Sequence, residues 1–375
     1  KKPPNLLLVS LDTMRADHSS AYGYHRETTP VLEALAASGT RYKNAFSNGN
    51  ESAYSHGALF TGRYASELAD PTYETYAIPE NATLVSEALT AYGYETAAFT
   101  AGGHVTADFG FNQGWSQFSS ESSFASLWAT APKALAWLQN RSDPDAPWFV
   151  FVHSYDAHRP YTRPGPWDHL YARQVGSHLA EVSAASPCLS EMLKGPMLYP
   201  ELTPDWFNHQ GGAPILSTQS YRKLENPPED TTKIPLSEAD VQHLIDHYDG
   251  GISYADTLLG LFLDELRQKK LLENTVVVVV SDHGEDMLDH GYINHRTGLY
   301  DSCTKVPLIV MGPGFTPGAV VEDLVDGRDV AATLWALAGA LPPAGSGGRD
   351  LREVAAGKMS QDAVFSEGIM GMVSV

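Results

Sequence analysis

Only two cysteines, Cys188 and Cys303, occur in 375 residues. They lie far apart and permit one disulfide or two free thiols, so the count does not decide the compartment. Basic residues are scarce as well. There are 25 against 45 acidic, a net charge of −20, and no basic run is longer than Lys269-Lys270. A nucleic-acid or anionic-membrane binder would carry a basic patch, so neither partner is expected. No apolar stretch reaches the roughly 18 residues of a membrane span, so no transmembrane helix is expected. No signal-peptide pattern is present, and Lys1-Lys2-Pro3-Pro4 reads as the start of a trimmed chain. Internal repeats and low-complexity tracts are missing too.

What is present is a 43% hydrophobic share punctuated by Gly and Pro, ample for a large core. Strand patterns at Leu6–Leu11, Thr96–Phe99, Trp148–His153, Thr275–Ser281 and Val306–Met311 alternate with helical patterns. The helices are expected at Pro30–Ser38, Thr83–Ala91, Ser123–Asn140, Ser237–Lys270 and Val330–Ala338. Such alternation predicts an α/β fold, a central and mostly parallel sheet sandwiched by helices, and the length suits one large domain or two smaller ones. Residues 160–236 lack periodicity and are rich in Pro, Trp, Tyr and His. They read either as a lid or as a surface insertion.

The run Val276-Val-Val-Val-Val-Ser-Asp282-His283-Gly-Glu285 carries the most chemistry. Five β-branched residues predict a strand buried on both faces, and open α/β sheets bind ligands beyond the carboxyl ends of such strands. A carboxylate and an imidazole there suit a divalent metal; an acidic surface turn is the alternative. Asn5-Leu-Leu-Leu-Val-Ser-Leu-Asp12 repeats the pattern, so two strands deliver acids to one sheet edge. Ser52 falls where a loop turns into a helix, in Asn50-Glu-Ser52-Ala-Tyr54-Ser-His56. The helix dipole favours an anion there, and a hydroxyl beside a metal can ionise and attack phosphorus or sulfur. The same serine also suits a plain N-cap. A third strand ends in His153-Ser-Tyr-Asp156-Ala-His158, a set for metal or ester oxygens. His295 and Arg296 follow closely after Asp282-His283 and can neutralise an anion or protonate a leaving group.

Together these segments resemble the sulfatase branch of the alkaline phosphatase superfamily. Asp12-Thr-Met-Arg15, Tyr22-Gly-Tyr24, Thr28-Thr-Pro30, Ala58-Leu-Phe-Thr-Gly62, Asp156-Ala-His158-Arg-Pro160 and Ser281-Asp-His-Gly-Glu285 match its motifs in order. Val306-Pro-Leu-Ile309 and Asp329-Val-Ala-Ala-Thr-Leu334 continue the series. The resemblance implies a single catalytic domain over 1–375, a sheet between helices plus a small C-terminal subdomain, here short or missing, and a periplasmic or secreted location. Formylglycine sulfatases carry Cys-x-Pro-x-Arg at the nucleophile, whereas Ser52, Tyr54 and His56 stand here. The metal pattern is more similar to lipoteichoic acid synthase and phosphoethanolamine transferase relatives, which use a direct hydroxyl nucleophile.

Carried over, the resemblance implies Asp12, Ser52, Asp282 and His283 as ligands of one divalent ion (Mn, Zn, Mg or Ca) and Ser52 as nucleophile. His158 and His295 join it as catalytic residues, and His56, His104, Asp156 and Arg296 as substrate-binding ones. Asp156, His158 and His295 offer a second metal site. The expected activity is metal-dependent cleavage or transfer of a phosphoester, either a phosphodiester or a phosphonate monoester, through a seryl intermediate. The alternatives are a sulfatase and a non-catalytic binding module. The expected partner is an anionic ester, small or attached to a glycan or lipid; oligomeric state is left open.

Overall fold

A computed structural model describes residues 2–68, 76–122, 124–172, 238–290, 293–296, 298–368 and 371–375. Ten strands and the helices between them form the part that positions the site. In chain order they are β1 (Asn5–Leu11), α1 (Pro30–Ser38), β2 (Thr40–Phe46), α2 (Ser52–Thr61), α3 (Ala65–Leu68), α4 (Val85–Ala91), β3 (Glu95–Thr100) and β4 (Gln117–Ser120). Then come α5 (Leu127–Gln139), β5 (Trp148–Ser154), α6 (Glu238–Gln268), β6 (Thr275–Val280), β7 (Asp286–Met287) and β8 (Ile293–Asn294). The series ends with α7 (Asp301–Thr304), β9 (Leu308–Met311), β10 (Ala319–Asp326), α8 (Gly327–Ala338) and α9 (Leu351–Ala355). A short antiparallel pair, Ser366–Gly368 with Met372–Ser374, follows.

Eight strands make one sheet in the order β10-β2-β9-β6-β1-β5-β3-β4. All neighbours are parallel except β9, which runs antiparallel to both β2 and β6. The expectation of a mostly parallel sheet between helices therefore holds. Side chains of a strand alternate between faces, and the two faces carry two separate cores. Leu7, Val9, Val150, Val152, Val277 and Val279 pack on one side with Tyr248, Ile252, Ala255, Leu258 and Phe262 of α6. Leu6, Leu8, Phe149, Phe151, Val276 and Val278 pack on the other with Leu334 and Trp335 of α8. Each such fully buried aliphatic contributes about 1.5–3 kcal/mol relative to exposure, which is why β1, β5 and β6 form the rigid centre.

Three strands of this sheet, β2, β4 and β10, carried no expectation, nor did the short pairs outside it. Helix ends also shift. The pattern over Ser123–Asn140 begins its helix only at Leu127, because the Ser126 side chain accepts from Trp128 N and caps it there. The pattern at Thr83–Ala91 starts at Val85, where Glu87 accepts from Leu84 N. Of the insertion over 160–236, residues 173–236 lie outside the described residues, and Cys188 with them. Cys303 is buried, and burial pushes its thiol up to about 12.

Candidate active site

Register alone brings the two acids together. Ser10 of β1 pairs with Val280 of β6, so Asp12 and Asp282 emerge two residues beyond the same rung. Past Leu11 the chain turns abruptly: Thr13 sits at φ 58°, a left-handed conformation that costs a β-branched residue about 1–3 kcal/mol. Tyr248 of α6 donates to Thr13 O at 2.6 Å and accepts from Arg15 N at 3.0 Å, which holds that turn. Past Asp282, Gly284 is required, since a Cβ there would overlap Ser302 O. Ser281 Oγ accepts from Met14 N at 2.9 Å and donates to His283 O at 2.8 Å, tying the two strand ends to each other.

One ligand atom from each of Asp12, Asp282 and His283 lies within 4.8 Å of the others, all buried. His283 Nδ1 donates to Gly284 O at 2.9 Å, which turns its Nε2 lone pair inward. Ser52 is the first residue of α2 and lies on the same centre. Its hydroxyl donates to Asp12 Oδ2 at 3.0 Å and stands 3.4 Å from His283 Nε2.

The electrostatics of this cluster favour a cation. Burial, then the Asp282 charge, pushes the Asp12 carboxyl well above the usual carboxylate range. Burial also acts upward on Asp282, but His283 and His56 outweigh it and hold that carboxyl below its ordinary value. Asp12 Oδ1 and Asp282 Oδ2 are buried without a hydrogen-bond donor. Buried carboxylate oxygens are normally satisfied, so two unsatisfied ones facing a common point beside an imidazole lone pair fit a divalent ion. One donor set of this kind occurs among the described residues. Asp156, His158 and His295 do not gather into a second one, because Asp156 Oδ2 instead accepts from Leu127 N at 2.7 Å at the start of α5.

Around this centre the other candidates separate into two groups. His295 packs against His283 with ring centroids 4.3 Å apart and planes tilted by 35°, and His158 lies 5.4 Å from His295. His295 Nδ1 donates to Glu285 Oε1 at 3.0 Å, and His158 Nδ1 donates to Arg159 O at 2.6 Å. Burial, then each other's charge or that of His283, lowers both imidazoles well below the usual range, so both are neutral at pH 7. Arg296 and His104 gather instead on Glu51, the residue before Ser52. Arg296 Nε lies 2.6 Å from Glu51 Oε1, and His104 Nδ1 lies 3.1 Å from Oε2. Burial pushes Glu51 up, but Arg296 and His104 outweigh it and hold the carboxylate ionised.

His56 has neither nitrogen available. Nδ1 donates to Ser52 O at 2.8 Å and Nε2 accepts from Ser10 Oγ at 3.0 Å, so the ring ties the first turn of α2 to β1. His153 accepts from Ala101 N at 3.4 Å through Nδ1, which turns Nε2 toward Asp12 Oδ2, 3.5 Å away. Glu51, Glu285 and Tyr155, whose hydroxyl is within reach of Ser52, carried no expectation. Glu51 and Glu285 flank the motifs directly. For Tyr155 the only signal was its place in the polar run after β5.

The comparisons with known proteins agree with this architecture. A family model described as Sulfatase matches residues 4–340. Arylsulfatase K of Canis lupus familiaris is 23% identical over 370 residues, covering 93% of this chain and 65% of that protein. The chain spans 62–65% of the length of the mammalian arylsulfatase K proteins it resembles. Among solved structures, the phosphonate monoester hydrolase of Agrobacterium radiobacter has a TM-score of 0.69 at 20% identity, over 97% of this chain and 80% of that one. A structure in complex with its substrate D-glucosamine-2-N,6-O-disulfate also has a TM-score of 0.69, at 18% identity, over 98% and 84%.

Proposed function

The chain belongs to the sulfatase family, and on that premise we propose that it cleaves or transfers a phosphoester, a phosphodiester or phosphonate monoester, through a covalent intermediate on Ser52. The observation that carries this is Ser52 itself, first in its helix and 3.0 Å from Asp12 Oδ2. With Tyr54 and His56 where the formylglycine signal has Pro and Arg, the hydroxyl is the attacking group.

Asp12, Asp282, His283 and Ser52 would hold one divalent ion. Bound there, it lowers the pKa of the serine hydroxyl and neutralises a non-bridging ester oxygen. Ser52 Oγ attacks phosphorus in line as the alcohol departs. The first N–H groups of α2 face the anion that develops. The proton of Ser52 passes through the neutral imidazole of His158 or His295 to the leaving oxygen, that ring acting first as base and then as acid. Water, or an acceptor alcohol, then attacks the seryl ester, and its proton returns through the same imidazole to Ser52 Oγ as the ester bond breaks. Arg296 and His104 bind the remote part of the substrate, while His56 and Asp156 position α2 and α5 without touching it.

The charge balance supports a monoanionic ester. Arg296 is offset by Glu51, and Arg15 by Asp17 and Asp289. His158 and His295 are neutral, so a dianionic phosphate monoester would find little compensation beyond the metal. A sulfate ester is also a monoanion, and the arylsulfatase relatives favour it as the second reading. Kinetics on metal-loaded chain decide between them. The expectation is a larger kcat/KM for an aryl phosphodiester or phosphonate monoester than for the matching aryl sulfate, without a formylglycine-generating enzyme. The reverse order would establish the sulfatase reading.

A further inference from the structure

Away from the strand ends, α6 carries a second pair of metal-competent side chains. His243 and His247 are one turn apart, so both project from the same face of the helix. Their Nε2 atoms are 3.1 Å apart, with ring centroids at 4.5 Å and the planes nearly perpendicular, at 84°. Two nitrogens bound to one ion at about 2.05 Å are separated by roughly 2.9 Å at a right angle and 3.35 Å at the tetrahedral angle. The observed separation falls inside that interval. Two protonated imidazoles at this distance would repel strongly, so at least one lone pair faces its neighbour. Among the described residues neither Nδ1 has a hydrogen-bond partner, so no contact at the back of the rings commits a tautomer.

Burial is the largest effect on His247 and lowers its pKa to about 4; His243 and Arg163 act the same way, and Asp246 and Asp168 oppose them, so the ring is neutral and keeps a lone pair for a metal. Asp246 already accepts from Arg26 at 2.6 Å and Gln242 at 3.0 Å, and Asp168 is paired with His169, so the two imidazoles are the donors the site is built from. Arg163 is occupied with the carbonyls of Tyr155, Asp156, His158, Pro160 and Thr162.

We propose that His243 and His247 form a second metal site, a two-imidazole chelate for a borderline divalent transition ion such as Zn, Cu or Ni. The site is independent of the Asp12–Asp282–His283 centre. It differs in chemistry too: an all-nitrogen pair selects transition ions, whereas carboxylate ligands also accept Mg and Ca. An ion there would clamp the first turns of α6 beside Arg163, whose donors hold the His158 loop.

The test is a Cu(II) titration of the metal-free full chain, followed by calorimetry and electron paramagnetic resonance, on wild type and on His243→Gln/His247→Gln. Glutamine keeps hydrogen-bonding capacity and helix propensity while removing the imidazole lone pairs. Wild type should bind one equivalent more than the variant, and that equivalent should show nitrogen hyperfine structure. Asp282→Ala should retain it. If the double variant fails to fold by circular dichroism, the single His243→Gln variant and the Asp282→Ala spectrum carry the test. Equal stoichiometry and equal spectra for wild type and variant, or no nitrogen-ligated copper in Asp282→Ala, would overturn the proposal and leave a hydrogen-bonded imidazole pair.

Discussion

The guanidinium of Arg296 lies 2.6 Å from the Glu51 carboxylate, which is buried and immediately precedes Ser52. A charge of that sign beside the nucleophile would repel an anionic ester were it not compensated. Arg296→Ala should therefore cost stability and raise KM together. Breaking a buried pair costs about 3–5 kcal/mol, and the partial exposure of Arg296 places the expectation at or below the lower end. Glu51→Gln in the same chain should recover most of the stability. A double-mutant cycle by chemical denaturation checks the coupling; additive effects would mean that the two side chains do not depend on each other.

Metal removal should act on stability as well as activity. With Asp12 and Asp282 buried together and two of their oxygens unsatisfied, the metal-free chain carries uncompensated repulsion. Binding to the native state alone raises the unfolding temperature by mass action. Chelation should lower the melting temperature of wild type, and re-addition should restore it. Asp282→Ala should melt at the same temperature with and without chelator, once the medium holds only Mg or Ca.

Asp256 gives a pH dependence that does not involve the active site. It lies against the start of α1, accepting from Val31 N at 2.9 Å and Leu32 N at 3.0 Å, and burial raises its carboxyl to about 7. A folded-state value above the unfolded one contributes stability that is fully present below the unfolded pKa. That contribution is lost as pH rises through the folded pKa. The loss should run from the ordinary carboxyl value of 3.8 to about 7. Asp256→Asn should flatten the unfolding free energy across this window, measured by urea denaturation at a series of pH values. An unchanged slope would assign the pH dependence to other groups.

The parts of this molecule that could be read from the sequence are those where burial leaves a one-dimensional trace. β1, β5 and β6 are covered on both faces, so their residues form unbroken apolar runs, and the polar residues that follow fall at one edge. β2 hides less: Lys43 is exposed and Arg41 and Asn44 are half-buried between apolar neighbours, which blurs the alternation. β10 carries acids within its apolar pattern, and β4 is four residues with none fully buried. Within the site, Asp12, Ser52, Asp282 and His283 were visible because they adjoin strand or helix ends. The ties made by His56 were not read, although its i, i+4 spacing from Ser52 on one helix was the available signal. The Glu51–Arg296 pair spans distant parts of the chain and leaves no local pattern at all.

The central claim, covalent catalysis by Ser52, is tested most directly by the mass of the enzyme during turnover. Metal-loaded chain mixed with an aryl phosphonate monoester and quenched in the first turnovers should gain one phosphonyl group, located on the peptide containing Ser52. Ser52→Ala should gain none and lose orders of magnitude in kcat while melting close to wild type. An unlabelled wild-type chain turning over at its normal rate, or near-normal activity in Ser52→Ala, would contradict the account.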